Sequence, residues 1–142
     1  MRLSVALATM IFMLGGCAPP NSESQTSTTG TLSFPGSMSY VPNPAVVGVT
    51  ETVTFTVMNN SAVSTATNIP YIVNRDGVQV FSGTLASIAP LGTTTGTFTT
   101  NDADSNGHVY EVVLDQNNTT GFIDYSTNTS SITIVAQPVG TT

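Results

Sequence analysis

From Thr31 onward, apolar side chains recur at every second position. Thr52-Val53-Thr54-Phe55-Thr56-Val57 is the clearest stretch, with Thr out and Val, Phe, Val in, the signature of a half-buried strand. Asn59-Asn60-Ser61 closes it with turn chemistry. Asn68–Arg75 reads as a second strand, Asp76-Gly77 as a tight hairpin turn and Val78–Phe81 as the return strand. Leu85 and Ile88 lead to the turn Pro90-Leu91-Gly92. Thr93–Thr100 is a threonine-rich strand with Phe98 inward, and Asn101–Gly107 is a polar turn. His108–Asp115 alternates again, with Tyr110, Val112 and Leu114 on one face. Gln116–Gly121 is a polar loop. Phe122–Tyr125 and Ser131–Ala136 form the last strand or strand pair. Leu32–Phe34 and Met38–Val41 read as edge strands interrupted by Pro35 and Pro42.

Short strands with turn signals about every 8–12 residues and no helical period predict an all-β fold, an antiparallel β-sandwich of about seven strands. It spans residues 31–138, with 139–142 as a tail. The chain has no Trp and one Cys, so the buried Trp and disulfide of antibody domains are excluded.

The first sixteen residues have a different pattern. Arg2 precedes an apolar run, Leu3–Leu14, which is shorter than the about 20 residues a spanning helix needs. This fits the apolar region of a secretory signal peptide. The run ends in Leu14-Gly15-Gly16-Cys17, which resembles the lipobox of bacterial lipoproteins. The small residues would admit the peptidase, and the Cys17 thiol would take the diacylglyceryl group. Two or three acyl chains (palmitate among them) anchor a protein stably where one does not. The resemblance implies lipidation at Cys17 and a place in the cell envelope, at the outer membrane if the host has two. Residues 17–30 carry no large apolar side chain and read as a flexible tether with a reach of roughly 20 Å.

Composition narrows the partners. The chain has 142 residues, two basic side chains (Arg2 and Arg75), eight acidic ones and a formal net charge of −6. No basic stripe exists to neutralise phosphates, so nucleic acid is excluded, as is a polybasic membrane patch. There is no lysine, so Lys–Asn isopeptide bonds are excluded. With Cys17 lipidated, no disulfide can form in the mature chain.

Asp102-Ala103-Asp104-Ser105-Asn106-Gly107 matches the first half of a calcium loop, with oxygen ligands at alternate positions and Gly at the sixth. The acid expected at position twelve is replaced by Val113, leaving Asp115 as a ligand from the strand end. Asp102, Asp104, Asn106 and Asp115 are therefore the candidate calcium set. The alternative is an Asx-rich turn that needs no ion. No catalytic set emerges: His108 is the sole histidine, and no G-x-S-x-G elbow accompanies it. Zinc is excluded by the count of His and Cys. Tyr71 and Tyr110 read as core caps, and Tyr125 as an exposed contact.

The order of landmarks resembles the bacterial cell-adhesion-related (CARDB) domain, which implies an antiparallel immunoglobulin-like or fibronectin type III-like β-sandwich. Pro44-Ala45-Val46-Val47-Gly48 precedes Val53–Asn59. Ala66-Thr67-Asn68-Ile69-Pro70 leads to Asp76-Gly77, then to Ile88-Ala89-Pro90-Leu91-Gly92-Thr93 and Val109–Asp115. Asp124 and Asn128 remain near the last strand, with Thr129 where the family often has a second Asn. The resemblance covers nearly all of Pro42–Val135. It implies a non-enzymatic surface or periplasmic module. The expected function is a lipid-anchored adhesion or binding module that meets a protein or glycan partner. The alternative is a structural or accessory subunit of a surface assembly, or a calcium-stiffened spacer.

Overall fold

A computed structural model describes residues 30–124 and 126–140. The signal peptide, Cys17, nearly all of the tether, Tyr125 and the last two residues lie outside the described residues. Among those described, the fold is all-β: β1 Leu32–Ser33, β2 Ser39–Val41, β3 Glu51–Asn59, β4 Ala66–Arg75, β5 Val78–Ile88, β6 Thr93–Thr100, β7 Gly107–Leu114 and β8 Thr129–Val135. Every pairing between these strands is antiparallel. In one sheet β3 bonds β6 along one edge, and on the other edge β2 near its start and β1 at its end. The second sheet has the order β5-β4-β7-β8. The two sheets form an immunoglobulin-like sandwich.

The alternation fixes which face is buried. Val53, Phe55 and Val57 of β3 are fully or almost fully buried, as are Ile69, Tyr71 and Val73 of β4 and Tyr110, Val112 and Leu114 of β7. Without Trp, the interior is bridged by smaller rings. Phe34, Phe55, Tyr71, Phe81, Phe98 and Tyr110 form a continuous file with centroids 5.1–6.4 Å apart. Such offsets and tilts are the favoured aromatic geometry.

The turn between β4 and β5 is tight, with Asp76 at φ 50° and Gly77 at φ 83°. Positive φ at both central residues is what Asp-Gly supplies in a hairpin.

Two expected boundaries shift. β5 runs to Ile88 rather than ending at Phe81, because Ser82-Gly83-Thr84 continues the ladder with β4 instead of turning. Phe122–Asp124 is not a strand. Phe122 is buried in the core, and its carbonyl accepts a bond of 2.9 Å from the Leu32 amide. The end of the chain supplies one strand, β8.

Candidate functional site

Glu51, Arg75, Asp76, Asp102, Asp104 and His108 gather at one end of the sandwich. There β3 begins, β4 turns into β5, and β6 crosses to β7. Glu51 and Thr100 are register partners, as are Arg75 and Tyr110, so inward-pointing polar groups meet below the last aromatic ring.

Asp102 anchors this end. Its side chain is fully buried, and one oxygen, Oδ1, accepts from the Tyr110 hydroxyl at 2.6 Å and from Arg75 Nη2 at 3.0 Å. The Thr100 hydroxyl donates in turn to the Tyr110 oxygen. Burial first, then the bond to Asp102, pushes the Tyr110 phenol up to about 12. Its proton therefore stays on the ring and serves the carboxylate. Glu51 is also fully buried; its Oε1 accepts from the Val46 amide at 3.3 Å. Glu51 Oε2 and Asp102 Oδ2 have no hydrogen-bond partner.

A second cluster sits on the rim. His108 Nδ1 lies 2.6 Å from Asp76 Oδ2, and Nε2 lies 3.1 Å from Asp104 Oδ1. Asp76 also receives the Val109 amide at 2.9 Å, and Asp104 receives the Asn106 amide at 2.8 Å. Those backbone bonds, followed by the histidine contacts, hold both carboxyls below their ordinary value. The bond to Asp76 raises His108 above its ordinary value.

The four residues of the candidate calcium set do not form one cage. Asp102 faces Arg75 and Tyr110, and Asp104 faces His108. Asn106 gives its backbone amide, not a side-chain oxygen, to Asp104. Asp115 lies beyond the far end of β7, about 25 Å of strand away. Its oxygens are taken by the amides and hydroxyls of Thr119 and Thr120, all at 2.7 Å. Burial raises this carboxyl, but the Thr120 and Thr119 bonds outweigh it and hold Asp115 below the ordinary value. In the 102–107 stretch the Asp102 carboxylate faces Arg75 and the Asp104 carboxylate faces His108.

Sequence reasoning missed Glu51, the Asp76–His108 contact and the Arg75–Asp102 pair. Glu51 was legible by parity, since it lies two residues before inward Val53. The other two join loops whose proximity depends on the strand order, which no local pattern contains. Tyr71 and Tyr110 are buried caps, as expected; the Tyr71 hydroxyl reaches the Thr97 carbonyl of the other sheet at 3.1 Å.

The open edges form a different kind of surface. The outer edge of β5 has no partner strand among the described residues. Val78, Val80 and Phe81 on it are 67%, 53% and 37% exposed, and all eleven β5 residues are uncharged.

No family model and no curated protein matches the sequence. Solved structures do. A crystal structure of the CARDB domain of a Pyrococcus furiosus protein, in complex with di-metal ions, superposes with a TM-score of 0.68 at 15% identity. The match covers 81% of this chain and 99% of that one. The solution structure of the same domain gives a TM-score of 0.61 at 15% identity, over 75% and 96% of the two chains. A domain of a protein named as a cell surface protein of Methanosarcina acetivorans gives 0.62 at 24% identity, over 76% and 92%. The chain has the fold of a single CARDB domain.

Proposed function

We propose that this chain is a lipid-anchored envelope module, tethered through Cys17, that binds a protein or glycan partner and catalyses no reaction. The observation that carries the reading is the open β5 edge. It offers unpaired backbone groups beside exposed Val78, Val80 and Phe81. An extended partner segment could add there as a strand, with main-chain bonds for affinity and the apolar side chains for selectivity. A life at the cell surface is supported by the Methanosarcina neighbour, which carries that description, and by the lipobox-like residues 14–17. The non-enzymatic reading is supported by His108, whose two ring nitrogens both face carboxylates and so activate no nucleophile.

The Pyrococcus domain is named as a complex with di-metal ions. Among the described residues no three of His, Cys, Asp and Glu converge to hold a metal. Asp102 and Asp104 already face cationic or cation-forming side chains.

The test is photocrosslinking in cells fed labelled palmitate, with the crosslinker at Gln79 on the β5 edge or at Glu111 on the outer face of β7. The expected result is a label lost in Cys17→Ser and an adduct formed from position 79 but not from 111. A label that survives Cys17→Ser refutes the anchor. An adduct from 111 alone, or from neither position, refutes the edge.

A further inference from the structure

The backbone of β4 divides its hydrogen bonds by parity. The Pro70 carbonyl accepts from the Asp115 amide at 2.7 Å, and the Asp76 amide donates to the Val109 carbonyl at 2.9 Å. Even-numbered residues of this stretch therefore bond towards β7, and odd-numbered ones towards β5. Thr84 is the register partner of Pro70, and Ser82 of Ile72. The amides and carbonyls of Ser82 and Thr84 accordingly point away from β4, out of the edge of the sheet. Those of Ala86 follow by alternation along the strand.

The chemistry of this edge selects its occupant. Edge strands ordinarily carry charge, proline or a bulge that keeps copies apart. None of the eleven β5 residues is charged or a proline. A register shift falls between Val73 and Asn74, opposite the start of β5, and the ladder from Phe81 to Ile88 has none. Ser82, Thr84 and Ala86 are small and exposed. A net charge of −6 sets copies of this chain against each other, and β5 contributes nothing to that repulsion.

The neighbouring edges are partly taken. On β6 the Thr97 carbonyl accepts the Tyr71 hydroxyl at 3.1 Å. Just past β8, the Gln137 amide donates to Ala45 at 2.8 Å, and its carbonyl accepts from Val47 at 2.9 Å.

We propose that the β5 edge is filled by β5 of a second copy of this chain, paired antiparallel about a two-fold axis, so that the two β5-β4-β7-β8 sheets run on as one. This rests on the reading of β5 as the binding edge and names the partner. With Thr84 opposite Thr84, each Ser82 stands opposite the Ala86 of the other copy. All six residues then exchange backbone bonds, because their amides and carbonyls face the edge. The exposed Phe81 ring stands opposite Ser87 of the second copy, so apolar surface is covered as the strands join. The pair uses the same edge once in each copy, and a two-fold contact of this kind closes at two.

The test uses the full chain in cells, expressed as two forms with different epitope tags and a photocrosslinker at Ser82. The expected result is an adduct that carries both tags. Thr84→Lys in both forms should abolish it, because like charges then stand opposite each other. Thr84→Lys in one form and Thr84→Asp in the other should restore it, and restoration shows that both variants fold. Absence of a two-tag adduct overturns the pairing. So does an adduct that survives Thr84→Lys in both forms, or one that the mixed pair fails to restore. An adduct with a different protein alone overturns the second copy and leaves the edge reading standing. No adduct of any kind from position 82 removes both.

Discussion

The ring of Phe55 lies across the backbone of Gly96, its register partner on β6. A β-carbon there would stand 2.2 Å from the Phe55 Cζ atom. The second sheet repeats the device: Tyr71 covers its partner Gly83 on β5, where a β-carbon would stand 2.5 Å from Cζ. In both cases a large ring on an inner strand rests on a glycine of the neighbouring edge strand. The two rings then meet edge-on, 5.1 Å apart at 71°. Gly96→Ala should therefore displace Phe55 and disturb the whole aromatic file. Overpacking of this kind costs roughly 1–3 kcal/mol, which lowers the melting midpoint of a domain this size by about 5–15 °C. Thermal melts of Gly96→Ala and Gly83→Ala read this directly. An unchanged midpoint would show that the rings move aside freely.

Asp115 organises the loop that leaves β7. Its carboxylate takes four bonds from Thr119 and Thr120, at φ 37°. Asp115→Ala leaves two partly buried amides without acceptors, a loss of roughly 3 kcal/mol and about 15 °C in midpoint. Asp115→Asn, which keeps an acceptor and tolerates positive φ, should lose less. The folded carboxyl is held below its ordinary 3.8, so its stabilisation is full above pH 3.8 and is lost as pH falls through the folded value. Melts between pH 2 and 5 (roughly the carboxylate range) should show an acid-side decline that Asp115→Asn flattens.

Much of the fold was legible because strand alternation is a local signal. Thr52–Val57 announced β3, and Asp76-Gly77 announced the hairpin with its two positive φ angles. β5 was underestimated because Ser82, Gly83 and Thr84 have turn-like chemistry, while the reason for Gly83 is the Tyr71 ring on another strand. Asn59 read as turn chemistry. It is fully buried, and its amide nitrogen lies 2.8 Å, 3.0 Å and 3.3 Å from the carbonyls of Ser64, Ile88 and Ala89. The candidate site was the least legible part. A calcium motif is a statement about spacing, whereas the partners of Asp102 and Asp104 are set by which strands lie side by side.

Tyr110 gives an alkaline test of the buried end. Its phenol is pushed up to about 12, first by burial and then by the bond it gives Asp102. A folded value above the ordinary 10.0 means a stabilisation that is full below pH 10.0 and is lost as pH rises toward 12. The chain lacks Trp, so near-ultraviolet absorbance follows tyrosinate cleanly. Tyr110→Phe should remove the component that titrates near 12. It should also lower stability by about 1–3 kcal/mol, because Asp102 loses a donor inside the core. A titration curve identical to that of the unaltered chain would place the high-titrating phenol elsewhere.

Calcium provides the sharpest test of the 102–107 turn. A loop with free carboxylates should gain stability in millimolar calcium by mass action. Here Arg75 occupies one oxygen of Asp102, His108 and the Asn106 amide converge on one oxygen of Asp104, and Asp115 is committed to its own loop. An entering divalent ion would compete with those partners for the two carboxylates, and it would lack the bidentate acid that Val113 replaces. Millimolar calcium should therefore leave the melting midpoint of the full chain unchanged at neutral pH, and Asp104→Ala should respond no differently. A calcium-dependent rise that disappears in Asp104→Ala would show that the ion outcompetes His108, and the turn would then be a metal loop held shut by its own histidine.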